Sequence, residues 1–426
     1  MLEYLKEWID LAPWVDQPPL EGVRFNPKKL DRKTFETLAP FALRPSPFYE
    51  EGYYLPEGET DGNHPYHLAG MYYFQEPSAM SAVTALQLQG EERVLDLCAA
   101  PGSKATAIAS RLTGGLLVAN EIQASRARIL MENMERMGVS RAVITNNDSA
   151  AIAGALPEYF DKVLVDSPCS GEGMFRKYPR ILEEWTEDLV ALCRERSREV
   201  LENAAKTLRP GGRLVYSTCT FNLEENEKTI LWFLENHPDF HVVDTGISGG
   251  RAGFLGLHQA VRIFPEDGGE GHFVCAMERE GAAEGRKAPL FKAEKHLEAA
   301  EALRELLKEP LHGNLLQRGS YYYLADEDLP NPAGLRILRA GRQVLELKGR
   351  QWKPAHHLPM SLPKEAFRYA LELDLAEARR YVNGQTVPCK ERGYGVVTVA
   401  GVPLGWIKSS DGVGKNHYPK GLRTLK

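Results

Sequence analysis

The sequence predicts an α/β protein built around a parallel sheet. Between residues 76 and 280, short apolar segments alternate with helical ones, a pattern typical of a parallel sheet with helices covering both faces. Three apolar segments run directly into loops that contain a cysteine, and these loops lie within Asp96–Lys104, Asp166–Gly171 and Tyr216–Thr220. Because strand ends of an open α/β sheet can border one crevice, we expect the three loops to line a common site.

The strands and helices of this region are assigned in order from their apolar periodicity. The predicted strands are Arg93–Leu97, Leu116–Ala119, Ala142–Thr145, Lys162–Val165, Arg213–Ser217 and His272–Met277. The predicted helices are Met80–Leu88, Ser103–Leu112, Ala124–Met137, Glu187–Leu208 and Glu224–Glu235. The longest helix is expected to end at Arg209-Pro210-Gly211-Gly212, because proline cannot continue a helix and glycine accommodates the turn that ends one.

The regions on either side lack this regular alternation. Residues 1–75 begin with the amphipathic segment MLEYLKEWIDLAPW and are predicted to form a small module with a strand at Gly22–Asn26. The polar segment Glu278–Lys295 is predicted as a linker. Residues 290–360 are assigned to an intermediate domain, and residues 361–426 to a C-terminal domain. Their predicted elements are a helix at His296–Leu307, a short helix from Leu373, and strands at Tyr321–Leu324, Leu335–Leu338, Gly395–Ala400 and Pro403–Lys408.

The composition narrows the class of protein. A formal net charge of -6, from 52 basic and 58 acidic residues, argues against a protein that coats nucleic acid through positive charge alone. The 6 cysteines include no C-x-x-C pair, so neither a disulfide framework nor a four-ligand zinc site is predicted. No stretch approaches the roughly 20 apolar residues that a membrane span requires. We therefore expect a soluble cytoplasmic protein with reduced thiols and no metal.

The segment from Asp96 to Lys104 combines a strand end, a turn of small residues and the start of a helix. Backbone N–H groups in such a turn can approach a ligand closely, although an ordinary tight β–α turn shares these features. The segment lacks the G-x-G-x-x-G pattern of a dinucleotide site. Glu121, Asp148 and Asp166 follow successive predicted strands, and acids in this repeated position indicate a rim that binds a nucleoside.

Cys169 and Cys219 are the candidate nucleophiles, because each lies at a strand end and a thiolate is a strong nucleophile. Residue chemistry alone does not choose between them. Cys193 and Cys275 lie inside an apolar helix and strand and are interpreted as inert buried thiols. Cys98 is interpreted as a small packing residue of the turn.

These motifs resemble those of the Sun/Nop-type RNA cytosine-5 methyltransferases. Cys98-Ala99-Ala100-Pro101-Gly102-Ser103-Lys104 matches the family's C-A-A-P-G-G-K turn with serine replacing one glycine, Pro168-Cys169-Ser170-Gly171 matches P-C-S-G, and Ser217-Thr218-Cys219 matches S-T-C. Gln75–Met80 resembles the element that precedes the methyltransferase fold, and Arg24-Phe25-Asn26 resembles the R-x-N of the N-terminal module. The resemblance covers Arg24 to Met277 and implies a Rossmann-like class I methyltransferase sheet.

The resemblance also implies S-adenosylmethionine as the cofactor and roles for individual residues. In the RNA enzymes the S-T-C cysteine attacks C6 of the cytosine and the P-C-S cysteine promotes release, which implies Cys219 as nucleophile and Cys169 as its helper. DNA cytosine methyltransferases instead use a Pro-Cys cysteine as nucleophile. Asp166 is expected to contact N3 and the 4-amino group of the base, with Lys104 beside it. The residues expected to bind the cofactor are Cys98, Ala99, Ala100, Pro101, Gly102, Ser103, Lys104, Glu121, Asp148 and Asp166.

The C-terminal segment indicates an RNA partner. Its glycines, aromatics and basic residues, ending at Lys426, are typical of small RNA-binding barrels, and its layout resembles the PUA-like region of RsmF-type ribosomal RNA methyltransferases. Arg176, Lys177 and Arg180, just beyond Cys169, either hold phosphates or are solvated.

The expected function is therefore methylation of cytosine in small-subunit (16S) ribosomal RNA by a monomer that acts on the RNA or on the small ribosomal subunit. Residues 1–75 and 361–426 are expected to bind the RNA. One alternative is a catalytically silent RNA-binding or ribosome assembly factor, and the presence of both candidate cysteines with Asp166 and Lys104 argues against it. The other alternative is a DNA cytosine-5 methyltransferase, which an assay on duplex DNA against ribosomal RNA would distinguish.

Overall fold

The N-terminal part of the chain forms a four-stranded sheet of order β2-β3-β1-β4. The computed structural model describes residues 1–6 and 9–423, so two residues of the N-terminal amphipathic segment and Lys426 lie outside the described residues. The elements are α1 (Leu2–Leu5), β1 (Glu21–Phe25), α2 (Arg32–Leu38), β2 (Arg44–Pro45), β3 (Gly52–Leu55), α3 (Pro65–Leu68) and β4 (Tyr72–Phe74). Strand β1 corresponds to the strand predicted at Gly22–Asn26.

The middle of the chain alternates strands and helices, and it forms the α/β sheet that the sequence predicts. Its helices are α4 (Ser81–Ala85), α5 (Ser103–Arg111), α6 (Ala124–Arg136), α7 (Ser149–Ala155), α8 (Ile181–Glu184), α9 (Glu187–Thr207) and α10 (Glu227–Asn236). Its strands are β5 (Arg93–Asp96), β6 (Leu116–Asn120), β7 (Ala142–Thr145), β8 (Phe160–Asp166), β9 (Leu208–Thr218), β10 (Phe240–Val243), β11 (Arg251–Ala252), β12 (Val261–Ile263) and β13 (His272–Arg279).

The C-terminal part adds two small sheets. Its elements are α11 (Leu297–Leu306), β14 (Asn314–Arg318), β15 (Tyr321–Ala325), β16 (Ile337–Ala340), β17 (Arg342–Lys348), β18 (Gln351–Pro354), α12 (His357–Met360), β19 (Ala370–Leu373), α13 (Leu375–Val382), β20 (Val387–Pro388), β21 (Gly393–Val399), β22 (Val402–Ser410) and β23 (Val413–Asn416). The first sheet has the order β14-β15-β17-β18 and the second the order β19-β21-β22-β23-β20.

The central sheet has a parallel core with antiparallel strands at both sides. Strands β7, β6, β5, β8 and β9 run parallel in that spatial order, and β13 pairs antiparallel with β9. The chain moves outward from β5 to β6 on one side and to β8 on the other, so the sheet has its topological switch point at β5. Ligands of open α/β sheets bind at the carboxyl ends of the strands beside such a point.

The structure differs from the sequence prediction at the start of one strand and in the sheet to which another strand belongs. Strand β9 begins at Leu208 rather than Arg213, because Phe160 of β8 pairs with Leu208 directly after α9 ends. The segment predicted as a strand at Leu335–Leu338 is β16, which pairs antiparallel with β7 and so extends the central sheet. The region behind the predicted linker therefore supplies an edge strand to the sheet.

Apolar side chains cover both faces of the central sheet, as expected for parallel strands. Leu95 packs in one core with Leu201 of α9, and its neighbour Val94 packs in the other core with Ile108 of α5. A third core joins Val23 of β1 in the N-terminal sheet to Val397 of β21 in the last sheet. The first and last sheets therefore pack against each other.

Among the described residues, no helix combines the length and the apolar character needed to cross a membrane.

Candidate active site

A cavity of about 720 Å³ opens at the carboxyl ends of the parallel strands, beside the switch point of the sheet. The three cysteine-containing loops that were predicted to share a crevice meet there. The residues that line it include Cys98, Ala100, Asn120, Glu121, Ile122, Arg126, Asp148, Asp166, Cys169 and Cys219. The acids that follow β6 and β7 and the two candidate nucleophiles therefore border one space.

The turn after β5 is held in place by its neighbours. Gly102 has φ +111°, a left-handed conformation that favours glycine, and a Cβ atom there would lie 3.2 Å from the Leu130 side chain. The N–H of Ala99 donates to the carbonyl of Asn120 at 2.8 Å. Arg24 of the N-terminal module donates to the carbonyl of Ser103 at 2.8 Å. The turn therefore delivers the following residue, Lys104, into the first turn of α5 in a fixed position.

Asp96, the last residue of β5, is a buried carboxyl without a partner. It is 1% exposed, and neither carboxylate oxygen has a hydrogen-bond partner among the described residues. Burial, together with the charge of Asp166, raises the pKa of Asp96 to about 8. An unsatisfied buried acceptor is costly, so this residue fits a ligand that brings cationic or N–H groups to the end of β5. Asp96 lies inside the strand predicted at Arg93–Leu97 and was not predicted to have a role in the site.

The acids after β6 and β7 differ in how they are held. Glu121 is buried, and its carboxylate accepts a hydrogen bond from the N–H of Gln123 at 2.8 Å and lies 3.5 Å from Arg126. Asp148 is exposed and caps α7 by accepting from the N–H of Ala151 at 2.7 Å. Both line the cavity, and each carboxylate oxygen can accept a further hydrogen bond, so both acids can contact a ligand.

Lys104 and Asp166 form an ion pair at the end of β8. The Lys104 Nζ lies 2.8 Å from Asp166 Oδ2, and the hydroxyl of Ser217 donates to Asp166 Oδ1 at 2.8 Å. Burial alone would raise the pKa of Asp166, but the charge of Lys104 and these hydrogen bonds outweigh it and lower the pKa. The pKa of Lys104 is raised, because Asp166 and Cys219 outweigh its own burial. The site therefore holds a carboxylate and an ammonium side by side.

Cys169 and Cys219 face each other across the ends of two neighbouring strands. Both are free thiols, and their Sγ atoms are 3.4 Å apart. The register pairs Asp166 with Ser217, and both cysteines follow that pair by two or three residues. The hydrogen bond to Cys219, followed by burial, raises the pKa of Cys169 well above its ordinary value. The Cys169 thiol is therefore held in its protonated form.

A buried polar network holds the two cysteine loops together. Glu225 accepts from the N–H of Ser170 at 2.8 Å and from the side chain of Asn222 at 2.7 Å. Glu172 accepts from the N–H groups of Phe221 and Asn222, both at 2.9 Å. Burial raises the pKa of Glu225 to about 7 despite these hydrogen bonds. The sequence analysis missed this support, whose signal is an acidic pair a few residues after Cys219.

The remaining cysteines and the basic cluster have other surroundings. Cys193 and Cys275 are buried, and burial raises the pKa of each, to about 11 for Cys193. Burial also raises the pKa of Cys98, so this thiol is poorly suited to ionise. Arg176 is buried in an ion pair with Glu270 at 2.8 Å, so it is not available for a phosphate.

Lys177 and Arg180 are exposed beyond the cysteine loop. Among residues 1–6 and 9–423, the structure contains no group of three or more histidine, cysteine or acidic side chains placed to hold a metal ion.

Four family models match the chain in order. The model of the 16S rRNA methyltransferase RsmB/F matches residues 83–278, and the model of the N-terminal domain of 16S rRNA methyltransferase RsmF matches residues 2–77. The models of the first C-terminal domain and of the PUA domain of RsmF match residues 301–362 and 368–424. The expected methyltransferase sheet, N-terminal module and PUA-like region are therefore confirmed.

Known relatives align with nearly the whole chain. Ribosomal RNA small subunit methyltransferase F of Klebsiella pneumoniae (strain 342) is 34% identical over 446 residues, which cover 97% of this chain and 92% of the relative. The protein of the same name from Salmonella arizonae is 35% identical and covers 95% of this chain and 91% of its own.

Solved structures share the central part of the fold. A methyltransferase homolog protein from Pyrococcus horikoshii superposes with a TM-score of 0.57 at 29% identity, covering 64% of this chain and 90% of its own. NSun6 from the same organism, solved with SFG, has a TM-score of 0.59 at 20% identity and covers 66% of this chain and 97% of its own, a likeness in fold.

Proposed function

We infer that this chain, which belongs to the RsmF family of 16S rRNA methyltransferases, transfers a methyl group from S-adenosylmethionine to C5 of a cytosine in 16S ribosomal RNA. The observation that carries the proposal is the pair of free thiols, 3.4 Å apart, beside the Lys104–Asp166 ion pair. Cytosine C5 is a weak nucleophile, and addition of a thiolate to C6 makes C5 enamine-like. The geometry supplies a thiol and a charge-stabilising pair at one point.

Cys219 is proposed as the nucleophile that bonds to C6. Its interaction with the charge of Lys104 raises the pKa of that lysine, so an ammonium lies within electrostatic reach of the sulfur. A neighbouring cation favours the thiolate form of a cysteine. The protonated Cys169 thiol can donate to the same sulfur. Both groups are therefore placed beside the sulfur that is proposed to attack C6.

Asp166 is proposed to bind the target base. As a carboxylate held by Lys104 and Ser217, it can accept hydrogen bonds from the 4-amino group and from N3 when that nitrogen gains a proton. The base must leave its stack to reach this pocket, which suits a single-stranded or flipped nucleotide. Lys104 then keeps the carboxylate in its ionised, oriented form.

Cys169 is proposed to act after the methyl group has been transferred. The proton on C5 must leave while the bond between Cys219 and C6 breaks, so a base near C5 is required. The first cause of the raised Cys169 pKa is its hydrogen bond to Cys219. Once Cys219 is bonded to C6, that cause is removed. Adduct formation therefore makes Cys169 easier to ionise at the step that needs a base.

The cavity residues fit the cofactor that the family implies. S-adenosylmethionine supplies the methyl group when bound. Asp166, which lines the cavity, is proposed to lie near the methionine end of the cofactor, and the unpartnered carboxyl of Asp96 precedes the lining residues Leu97 and Cys98 at the end of β5. Glu121 is proposed to accept hydrogen bonds from the ribose hydroxyls, and Asp148 to lie near the adenine. Cys98 and Ala100 of the turn line the cavity, and the whole turn from Cys98 to Lys104 is proposed to bind the cofactor.

The flanking domains are proposed to position the RNA. Residues 1–75 and 361–426 form β-sheet modules that share a core and pack beside the central sheet. The exposed Lys177 and Arg180 lie beyond Cys169 and can contact phosphates. Cytoplasmic location and action as a monomer belong to the same proposal.

Covalent trapping tests the two cysteine roles. Cys219→Ala should neither methylate 16S ribosomal RNA nor form an adduct with it. Cys169→Ala should add through Cys219 and transfer the methyl group but remain attached to the RNA. Cys193→Ala, which alters a buried thiol of α9, serves as the matched control and should behave like the unaltered protein. Denaturing electrophoresis after incubation with RNA and cofactor measures the adduct.

Two outcomes would contradict the proposal. An adduct with Cys219→Ala and none with Cys169→Ala would assign the nucleophile to Cys169, as in the DNA enzymes. Methylation that persists in both variants would exclude a covalent mechanism. Mapping of the product base in the RNA separately tests whether C5 of cytosine is the position modified.

A further inference from the structure

His272 lies at the reacting edge of the sheet and has no role in the steps described above. It begins β13 and is 5% exposed. The antiparallel register pairs Val274 with Ser217 and Phe273 with Thr218, where β9 ends, so His272 and Cys219 are the next residues beyond the last pair. Alternate residues of a strand project from the same face, so His272 lies on the face of Val274 and of its partner Ser217. The imidazole is therefore on the face that carries Ser217, two residues before the proposed nucleophile.

The imidazole is also within electrostatic reach of the ion pair. Burial lowers the pKa of His272 to about 3, the charge of Lys104 acts in the same direction, and Asp166 opposes it. His272 in turn contributes to the lowered pKa of Asp166. The ring is therefore neutral at physiological pH, with one N–H donor and one acceptor nitrogen.

The segment before the methyltransferase fold fixes which nitrogen is the acceptor. The hydroxyl of Ser78 donates its single proton to Glu76 Oε2 at 2.6 Å and lies 3.0 Å from His272 Nδ1. The same Glu76 oxygen also accepts from the N–H of Ala79 at 2.7 Å. Because the Ser78 proton is used, its oxygen must accept from Nδ1–H. The acceptor of the ring is therefore Nε2.

No residue that the structure describes forms a hydrogen bond with Nε2 of His272. The lone pair of Nε2 is therefore available to a ligand that brings an N–H donor. The carboxylate of Asp166 lies on the same side of the sheet, since its partner Ser217 precedes Cys219 by two residues. Two acceptors beside one nucleophile match a group with two N–H donors.

We propose that His272 is a specificity residue for the target base, whose Nε2 accepts a hydrogen bond from the 4-amino group of cytosine. The inference rests on the proposed function and assigns the second amino proton to Asp166. Uracil carries a carbonyl oxygen at the same position, and that oxygen would face two acceptors. The pocket therefore favours cytosine over uracil. Glu76 and Ser78 act as positioning residues that hold the imidazole in the accepting tautomer.

A base that lacks the 4-amino group tests the contact directly. Single-turnover methyl transfer is measured on two RNAs that carry cytosine or pyrimidin-2-one at the target position. His272→Phe removes the acceptor and keeps an aromatic ring. It should slow transfer to cytosine about 10- to 100-fold, as expected for a lost buried hydrogen bond. It should change transfer to pyrimidin-2-one by no more than about twofold, because the partner group is absent.

A second pair of variants guards against a folding defect in His272→Phe. His272→Gln keeps an acceptor oxygen near the position of Nε2 and should recover most of the rate on cytosine. Ser78→Ala removes the group that fixes the tautomer. It should slow methyl transfer to cytosine more than methyl transfer to pyrimidin-2-one. Equal slowing of both bases by these variants, or unchanged rates on both, would overturn the inference. If the unaltered protein transferred no methyl group to the cytosine RNA, the proposed function itself would be refuted.

Discussion

Each edge of the central sheet carries an aspartate, and the two aspartates differ in whether they have hydrogen-bond partners. At the amino edge, Asp161 accepts from the N–H of Arg93 at 2.7 Å and from the side chain of Arg209 at 2.6 Å. Burial alone would raise the pKa of Asp161, but these hydrogen bonds outweigh it and lower the pKa. At the carboxyl edge, Asp96 has no partner among the described residues, and its pKa is raised to about 8.

Two other charged residues of the amino edge, like Asp161, have partners within the chain. Lys162 lies 3.2 Å from Glu92, and Arg213 lies 3.0 Å from Glu278, so these charges are paired within the chain. Pairing within the chain serves the fold, whereas a buried group without a partner stabilises the chain only when a ligand binds. Lys104 and Asp166 are also paired at the carboxyl edge, so it is the unpartnered Asp96 that distinguishes this edge as the one suited to a ligand.

Replacing one lysine at each edge should give the largest contrast. Lys104→Met removes the cation beside Asp166 and Cys219, and we expect methyl transfer to fall about 10²- to 10³-fold, the usual cost of a lost charge-stabilising group. Lys162→Met is the matched control, because it alters a half-buried lysine of the same sheet. Its transfer rate should equal that of the unaltered protein.

Single-turnover assays at saturating cofactor measure both variants. Comparable loss in Lys162→Met would show that the rate depends on the sheet as a whole rather than on its carboxyl edge.

The two edge aspartates should shift stability in opposite directions with pH. Asp96 holds its proton more tightly folded than unfolded, so the ligand-free protein should lose stability as pH rises from about 4 to 8, by at most about 1.4 kcal/mol per pH unit. Asp96→Asn should abolish this slope. Asp161 holds its proton less tightly when folded, so its contribution is present at neutral pH and lost on acidification. Asp161→Asn should lower stability at pH 7 by about 1–3 kcal/mol.

Thermal unfolding without ligand between pH 5 and 8 measures the slope from Asp96, and its extension below pH 4 measures the loss from Asp161. Asp96→Asn should unfold at an increasingly higher temperature than the unaltered protein as the pH rises. Parallel curves for the two proteins would mean that Asp96 is already ionised in the folded state.

The sequence predicted the parallel strands and the cysteine loops because both depend on local patterns. Apolar strand segments and glycine turns are contiguous in the chain. It did not predict that β16 would join β7, because that pairing connects segments nearly two hundred residues apart and β16 carries the charged Arg339. It also missed Asp96 and His272 as site residues. Their importance depends on which partners they lack in the folded chain, and no local pattern contains that information.

Cofactor affinity should show a smaller contrast between the edges. Glu121→Gln removes the buried carboxylate proposed to bind the ribose, and we expect affinity for S-adenosylmethionine to weaken by about 1–3 kcal/mol for lost charge-assisted hydrogen bonds. Glu92→Gln at the amino edge should leave affinity unchanged, because this carboxylate pairs with Lys162. Titration calorimetry compares the two. Equal affinities of Glu121→Gln and the unaltered protein would count against the ribose contact.

The smallest expected effect concerns Asp148, which belongs to both the fold and the cavity. Its side chain caps α7 by accepting from the N–H of Ala151, and asparagine caps helices about as well. Asp148→Asn should therefore change stability by less than about 0.5 kcal/mol, whereas Asp148→Ala should cost about 1 kcal/mol. If the carboxylate also contacts the adenine, Asp148→Asn should weaken cofactor binding while its unfolding temperature stays unchanged. If cofactor affinity and stability both fell in Asp148→Ala but not in Asp148→Asn, Asp148 would act only as a helix cap.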